Sequence, residues 1–299
     1  MRAYLLLMLV VLLFAGNILV GKAAAELLPP FTLALGRVLI ATLVVLIFLG
    51  PRAWRARRRI LPHWRGLLVI ALSGVGLFNA FLYSALHHTS ATNVAVLEAA
   101  IPVVTAACMA LFFSERLRPR QWLGVIISVL GTVWVVSNGH PERIIASWGT
   151  GEMIMLAAIG CWVIYTLAVR RWMADLPFYT SLVPLMLLAT LALTPPAIVE
   201  QFGQAQRLTL ESDALWALLY LGLGPSLVAL VLYNRAVLEV GPSRASIFLN
   251  LLPLVTMAGG AWLLGAPVTP AQVMGAVIVM TGVSLVVAER RPGRRSPAR

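Results

Sequence analysis

Residues 95–136 read AVLEAAIPVVTAACMALFFSERLRPRQWLGVIISVLGTVWVV, and residues 246–287 read SIFLNLLPLVTMAGGAWLLGAPVTPAQVMGAVIVMTGVSLVV. One shift of 151 residues lays the first on the second without a gap. Pro102, Thr105, Pro119, Gln121, Gly124 and Gly131 then meet Pro253, Thr256, Pro270, Gln272, Gly275 and Gly282. The register extends back to Ala85 and Ala236. Shared apolar composition gives some matches. It does not bring proline pairs, glycine pairs and a glutamine into one register.

Outward from this pair, the chain is a string of apolar runs near 20 residues, the length that crosses a ~30 Å hydrocarbon core. Of its 299 residues, 60% are hydrophobic, and the mean hydropathy is +0.91. The runs predict spans at 4–22, 30–49, 65–86, 92–113, 119–137, 152–171, 178–199, 214–235, 243–264 and 269–288. In lipid, backbone polar groups must be satisfied within their own segment, so these spans are predicted helices. The segment after Met1-Arg2-Ala3-Tyr4 is read as a retained first helix rather than a cleaved leader, because its loss would spoil the repeat. Five spans per copy is an odd number, so the second copy enters the membrane from the opposite side. The expected fold is all-α, ten transmembrane helices in two inverted five-helix repeats. The expected division is a first repeat at 1–137, an extracytoplasmic linker at 138–151, a second repeat at 152–288 and a basic cytoplasmic tail at 289–299.

The net charge of +12 raises the question of nucleic acid, and the placement of the basic residues answers it. Lys and Arg alternate between loops instead of clustering on one segment. With the N-terminus inside, Arg52, Arg55, Arg57, Arg58, Arg59, Arg65, Arg116, Arg118, Arg120 and the C-terminal arginines all fall on the cytoplasmic side. Only Lys22, Arg143 and Arg207 fall outside, and Arg37 lies within a span. This bias predicts both termini inside; the expected location is a bacterial inner (plasma) membrane. The run from Arg52 to Arg59 reads as a topology signal and an anionic-lipid contact. No nucleic-acid partner is expected.

The motifs carry a resemblance. Pro30-Phe31-Thr32-Leu33-Ala34-Leu35-Gly36-Arg37, Ser90-Ala91-Thr92-Asn93 leading to Ile101-Pro102, Ser114-Glu115-Arg116-Leu117, Gly241-Pro242-Ser243-Arg244-Ala245 and Leu252-Pro253 are similar to those of EamA-type proteins. The chain thus resembles the EamA branch of the drug/metabolite transporter superfamily over nearly its whole length. The resemblance implies a central cavity lined by helices 1–4 and 6–9, with helices 5 and 10 at the periphery. It implies export of amino acids, related metabolites or drugs, driven by protons or by exchange. Two features depart from the pattern. Helix 1 reads Phe14-Ala15-Gly16-Asn17 where the family often has Trp-Gly, and Glu115 is matched by Ala266 in the second copy.

Intramembrane charges are expensive and therefore mark candidate sites. At ~1.5 Å per helical residue, Glu98, Arg37, Asn17 and Asn79 come to one layer on four different helices. Glu98 is the candidate for proton coupling, since a carboxyl in low dielectric can exchange protons near neutrality. It can equally hold a substrate ammonium. Arg37 offers a two-pronged fork for a carboxylate. The alternative is that Glu98 and Arg37 pair with each other and fix helix packing. Pro102 and Pro253 each remove a helical hydrogen bond at matched positions and are the candidate hinges. Trp162, Tyr165, Tyr220 and Asn250 are candidate cavity-lining groups, with lipid contact or packing as the alternative.

Trp54, Trp64, Trp122, Trp148 and Trp172 fall near span ends as interface anchors. His87 and His88 point in different directions on a helix and do not suggest a metal site. Cys108 and Cys161 lie far apart in apolar runs and read as buried small hydrophobes. No nucleotide loop, zinc pattern or nucleophile–base set is present, so no cofactor is expected. The expected partners are a small-molecule substrate, membrane lipid and protons, with the chain a monomer or weak homo-oligomer. The function expected is secondary transport of amino acids or related metabolites, with export of drug-like or cationic compounds as the alternative. An intramembrane enzyme acting on a lipid-linked substrate is the alternative of another class.

Overall fold

A computed structural model describes residues 2–112, 118–140, 149–173, 176–202, 212–229, 231–233, 236, 249 and 251–287. All its regular elements are helical. The first is α1 (Arg2–Ala25), followed by α2 (Pro30–Ile60). A short 3-10 turn at Leu61–His63 leads into α3 (Trp64–Ile70), a π turn at Ala71–Leu77 and α4 (Phe78–His88), which run on as one rod. Next come α5 (Ala91–Ala99), α6 (Ile101–Phe112) and α7 (Pro119–Val136). The second half has α8 (Thr150–Trp172), α9 (Phe178–Phe202), α10 (Ser212–Leu223) with a π turn at Gly224–Val228, α11 (Leu252–Leu263) and α12 (Pro270–Val287).

The ends follow from local chemistry. Pro30 and Pro119 open α2 and α7 at the first helical turn, where the missing N–H costs nothing. The Ser90 hydroxyl caps α5 by accepting from the Asn93 N–H at 3.1 Å. At the end of α11 the chain turns through Gly265 at φ +59°, and the Ala266 N–H reaches back to the Gly260 carbonyl at 3.1 Å, a glycine-dependent close.

Five helical stretches among the described residues are long and apolar enough to cross a membrane: Leu5–Ala25, Pro30–His88, Thr150–Val169, Tyr179–Phe202 and Ser212–Tyr233. Pro30–His88 has 59 residues, about three times what one crossing needs, and it is divided at the 3-10 turn. Large apolar side chains face outward on many helices, with Phe202 at 87% and Trp262 at 84% exposure. Such a belt suits lipid and not water.

Two boundaries differ from the sequence expectation. The second span was expected to end at residue 49, but α2 continues through Pro51 to Ile60. Ala53 and Ile60 are buried on the protein side, so the basic stretch is held as helix instead of looping free. The fourth span is not one helix. Ala100 is a turn residue between α5 and α6, and its N–H folds back on the Leu97 carbonyl at 3.1 Å. Leu251, which the 151-residue shift matches to Ala100, is the turn residue before α11. The interruption therefore recurs at matched positions beside both Pro102 and Pro253.

The repeat is visible in the packing. The most extensive helix contacts are α7 on α12 and α2 on α9. A Cβ on Gly131 would stand 2.8 Å from Ile278 Cγ2 and from the Val279 N, and one on Gly282 would stand 2.5 Å from the Ser128 N. Gly131 matches Gly282, and Ser128 matches Val279. Each glycine thus meets the other copy's image of its partner, the reciprocity of a two-fold interface. The fold is an all-α, multi-span membrane fold built from two such repeats.

Candidate functional site

Arg37 lies on α2 two turns in from Pro30 and is only 5% exposed. Its Nη1 donates to Asn17 Oδ1 on α1 and to Asn79 Oδ1 on α4, both at 2.8 Å, and to the Tyr83 hydroxyl. Its Nε and Nη2 donate to Ser226 Oγ at 3.1 and 2.6 Å. The fork is thus held by two elements of the first repeat, α1 and α4, and one of the second. The fully buried Tyr83 also donates to Asn17 Oδ1 at 3.2 Å.

The cradle is itself fixed. Asn79 Nδ2 donates to the Val75 carbonyl at 2.9 Å, which turns its amide oxygen toward the guanidinium. Ser226 Oγ donates to the Leu221 carbonyl at 2.8 Å. That carbonyl lacks its usual helical partner because Pro225 has no N–H. Gly222 lets α10 come close enough to do this, since a Cβ there would be 2.9 Å from the Arg37 carbonyl oxygen.

All of these partners are neutral. They solvate the guanidinium without cancelling its charge, so no hydrogen-bond partner neutralises Arg37 in this low-dielectric interior. The Glu98 carboxyl, near the end of α5, lies within electrostatic range of Arg37. Its Oε2 is buried without a hydrogen-bond partner. The alternative in which Arg37 and Glu98 pair directly is therefore corrected: Arg37 spends its fork on Asn17, Asn79, Tyr83 and Ser226. Asn17, Arg37 and Asn79 come together as expected, and Glu98 stands beside them unbonded.

Below this layer runs an aromatic ladder. The Phe78 and Trp162 ring centroids are 4.6 Å apart, and those of Trp162 and Tyr165 are 5.0 Å apart. Gly74 makes room for Tyr165, because a Cβ there would be 2.1 Å from the ring. Tyr165 borders a small cavity with Ile70, Val75, Val169, Leu185 and Met186. Two expected members stand elsewhere or are not seen. Tyr220 packs its hydroxyl against Gly16, 3.4 Å from the Leu13 carbonyl oxygen, which makes it a spacer between α1 and α10. Asn250 falls outside the described residues, as does the loop with Glu115. Trp172, expected as an anchor, packs on Gly66.

A second polar cluster was not anticipated. Glu152 at the start of α8 is 6% exposed and accepts from the Thr89 hydroxyl and, at 3.2 Å, from Asn93 Nδ2. Gln272 Nε2 donates to Asn93 Oδ1 at 3.0 Å. The ends of α4, α5, α8 and α12 are thus tied together. Glu200, on α9, caps α2 by accepting from the Thr32 N–H at 2.8 Å and the Phe31 N–H at 3.2 Å. Tyr83 and Ser226 were also missed. The Gly224-Pro225-Ser226 run was the available signal, since a proline beside a hydroxyl marks an interrupted helix with a spare polar group.

The profile of the EamA-like transporter family matches residues 1–137 and 149–288. An uncharacterized transporter of Archaeoglobus fulgidus is 30% identical over 294 residues, covering 97% of this chain and 98% of that protein. A probable amino-acid metabolite efflux pump of Salmonella typhimurium is 27% identical, covering 94% and 93%. One of the same description from Escherichia coli is 24% identical, covering 94% and 93%. A solved crystal structure superposes with a TM-score of 0.66 at 20% identity, covering 95% of this chain and 97% of that one, and shows the shared fold.

Proposed function

The chain belongs to the EamA-like transporter family, and from that premise we propose that it exports amino acids or related small metabolites by alternating access. Ten membrane-spanning helices with both termini cytoplasmic are part of the reading, as is the division at 1–137, 138–151, 152–288 and 289–299. The one-sided basic loops support this orientation. The protein is an integral, multi-pass membrane protein, and the inner membrane of a bacterium suits it.

The observation that carries the substrate class is the uncancelled charge of Arg37. A buried guanidinium held by amides and hydroxyls from both repeats favours an anionic group nearby. A substrate carboxylate supplies one, and so does the ionised Glu98. With Glu98 protonated, the carboxylate of the substrate is the better partner for the local field. With Glu98 ionised, the substrate is displaced. Competition of this kind exchanges one for the other and couples export to protons. The aromatic ladder of Phe78, Trp162 and Tyr165 offers a wall for the rest of the molecule.

The same charge argues against the cationic-drug alternative, because Arg37 repels a cation at the layer where Glu98 would attract it. The relatives described as amino-acid metabolite efflux pumps favour the same choice. Pro102 and Pro253, beside the matched interruptions at Ala100 and Leu251, are the proposed hinges. The test is a thermal-shift screen of the purified protein against amino acids, nucleosides, sugars and cationic drugs, with hits carried into flux measurements in liposomes. Stabilisation by cationic drugs alone would reverse the assignment.

A further inference from the structure

We infer that Arg37 ties together two π turns, one in each repeat, so that the turns change register only as a pair. The first is at Ala71–Leu77, where the Phe78 N–H reaches the Ser73 carbonyl five residues back. The second is at Gly224–Val228, where the Ala229 N–H reaches the Gly224 carbonyl. Continued back beyond Ala85, the 151-residue shift carries 71–77 onto 222–228, and the second turn lies within that span. Two wide turns at matched positions of an old duplication are one feature kept twice.

Each turn has a local cause. In the second, Pro225 leaves the Leu221 carbonyl open and Ser226 Oγ fills it. In the first, Gly74 accepts the Tyr165 ring, and Ser73 Oγ donates to the Val69 carbonyl at 2.6 Å. A π turn holds one residue more than an α turn. Relaxing it to α moves the following residues by one position, about 100° around the helix and about 1.5 Å along it.

The consequence falls on Arg37. Asn79 and Tyr83 follow the first turn directly on α4, and Asn79 also donates to Val75 within that turn. Ser226 is inside the second turn. A 100° step in the first swings Asn79 and Tyr83 away from Nη1. A step in the second withdraws Ser226 from Nε and Nη2. Arg37 itself sits on α2, which both turns contact. Neither turn can relax without breaking hydrogen bonds to the same guanidinium, and a fork released on one side is free to swing and give up its bonds on the other. Asn79, Tyr83 and Ser226 are positioning residues that act through Arg37. The purpose of such a link, keeping two repeats in step during alternating access, rests on the transporter reading, but the link can be tested without it.

The experiment is amide hydrogen exchange on the full chain in lipid nanodiscs. Ser226→Ala should speed exchange at residues 72–78 at least tenfold, although that segment is some 150 residues away and on another helix. Asn79→Ala should do the same at residues 224–229. Ser226→Thr keeps the hydroxyl and should restore protection at residues 72–78. If either alanine variant fails to fold, the other still reads the link in its own direction. Exchange that rises only around the substituted residue, or not at all, overturns the inference. A protein with linked turns but no flux would sink the transport reading alone. A protein with flux but independent turns would sink this inference alone.

Discussion

Ser226 receives two donors of Arg37, Nε at 3.1 Å and Nη2 at 2.6 Å, from a residue 189 positions earlier in the chain and in the other repeat. The contact joins the two halves at a buried guanidinium whose hydrogen-bond partners are all neutral.

Arg37→Lys keeps the charge and loses the planar fork, so it cannot satisfy Asn17, Asn79, Tyr83 and Ser226 together. Substrate flux should fall at least tenfold while the protein still purifies as a folded species. Arg37→Gln should abolish flux and lower stability by roughly 3 kcal/mol, because the cradle is left with unpaired acceptors. Thermal unfolding with parallel flux measurement checks both.

Glu98→Gln removes the titrating group and leaves its shape. Flux by the wild type should depend on pH near neutrality, and flux by the variant should be flat over the same range. A pH series in liposomes decides this. A pH profile unchanged in Glu98→Gln would move the coupling site elsewhere.

The two-fold contact of α7 and α12 makes a symmetric forecast. Gly131→Leu and Gly282→Leu both drive a side chain into a facing backbone. Each should destabilise the fold by about 1–3 kcal/mol, and by similar amounts, since each occupies the other's image. Thermal melts of the pair would reveal any asymmetry.

Glu152→Ala unties Thr89 and Asn93, and through Asn93 loosens Gln272. Stability should drop by roughly 1–3 kcal/mol. If these helix ends part during the cycle, a cysteine introduced at the buried Ala91 should also label faster with a water-soluble maleimide in the Glu152→Ala background. Labelling at the same rate would make the cluster a static tie.

Much of the architecture was legible because lipid forces simple rules. Apolar run length, basic loops and the Pro102/Pro253 register each report on the chain without tertiary detail. Arg37, Asn17 and Asn79 could be brought to one layer by counting residues along helices. What could not be counted was rotation. A π turn adds one residue that no periodicity reveals, and it decides that Asn79 and Tyr83 point at Nη1. Ser226 was hidden for a related reason: its hydroxyl matters only because Pro225 opens the Leu221 carbonyl and Gly222 lets α10 approach α2. The Arg37–Glu98 pairing failed because neutral acceptors are common residues and carry no sequence signature.

We propose transport of a carboxylate-bearing metabolite through the Arg37 layer. It is tested most directly in liposomes holding purified protein and loaded with a mixture of radiolabelled amino acids. The account predicts release at least tenfold above protein-free liposomes for at least one amino acid, and none above that background with Arg37→Gln. Release by the wild type equal to protein-free liposomes, or full release by Arg37→Gln, would contradict it.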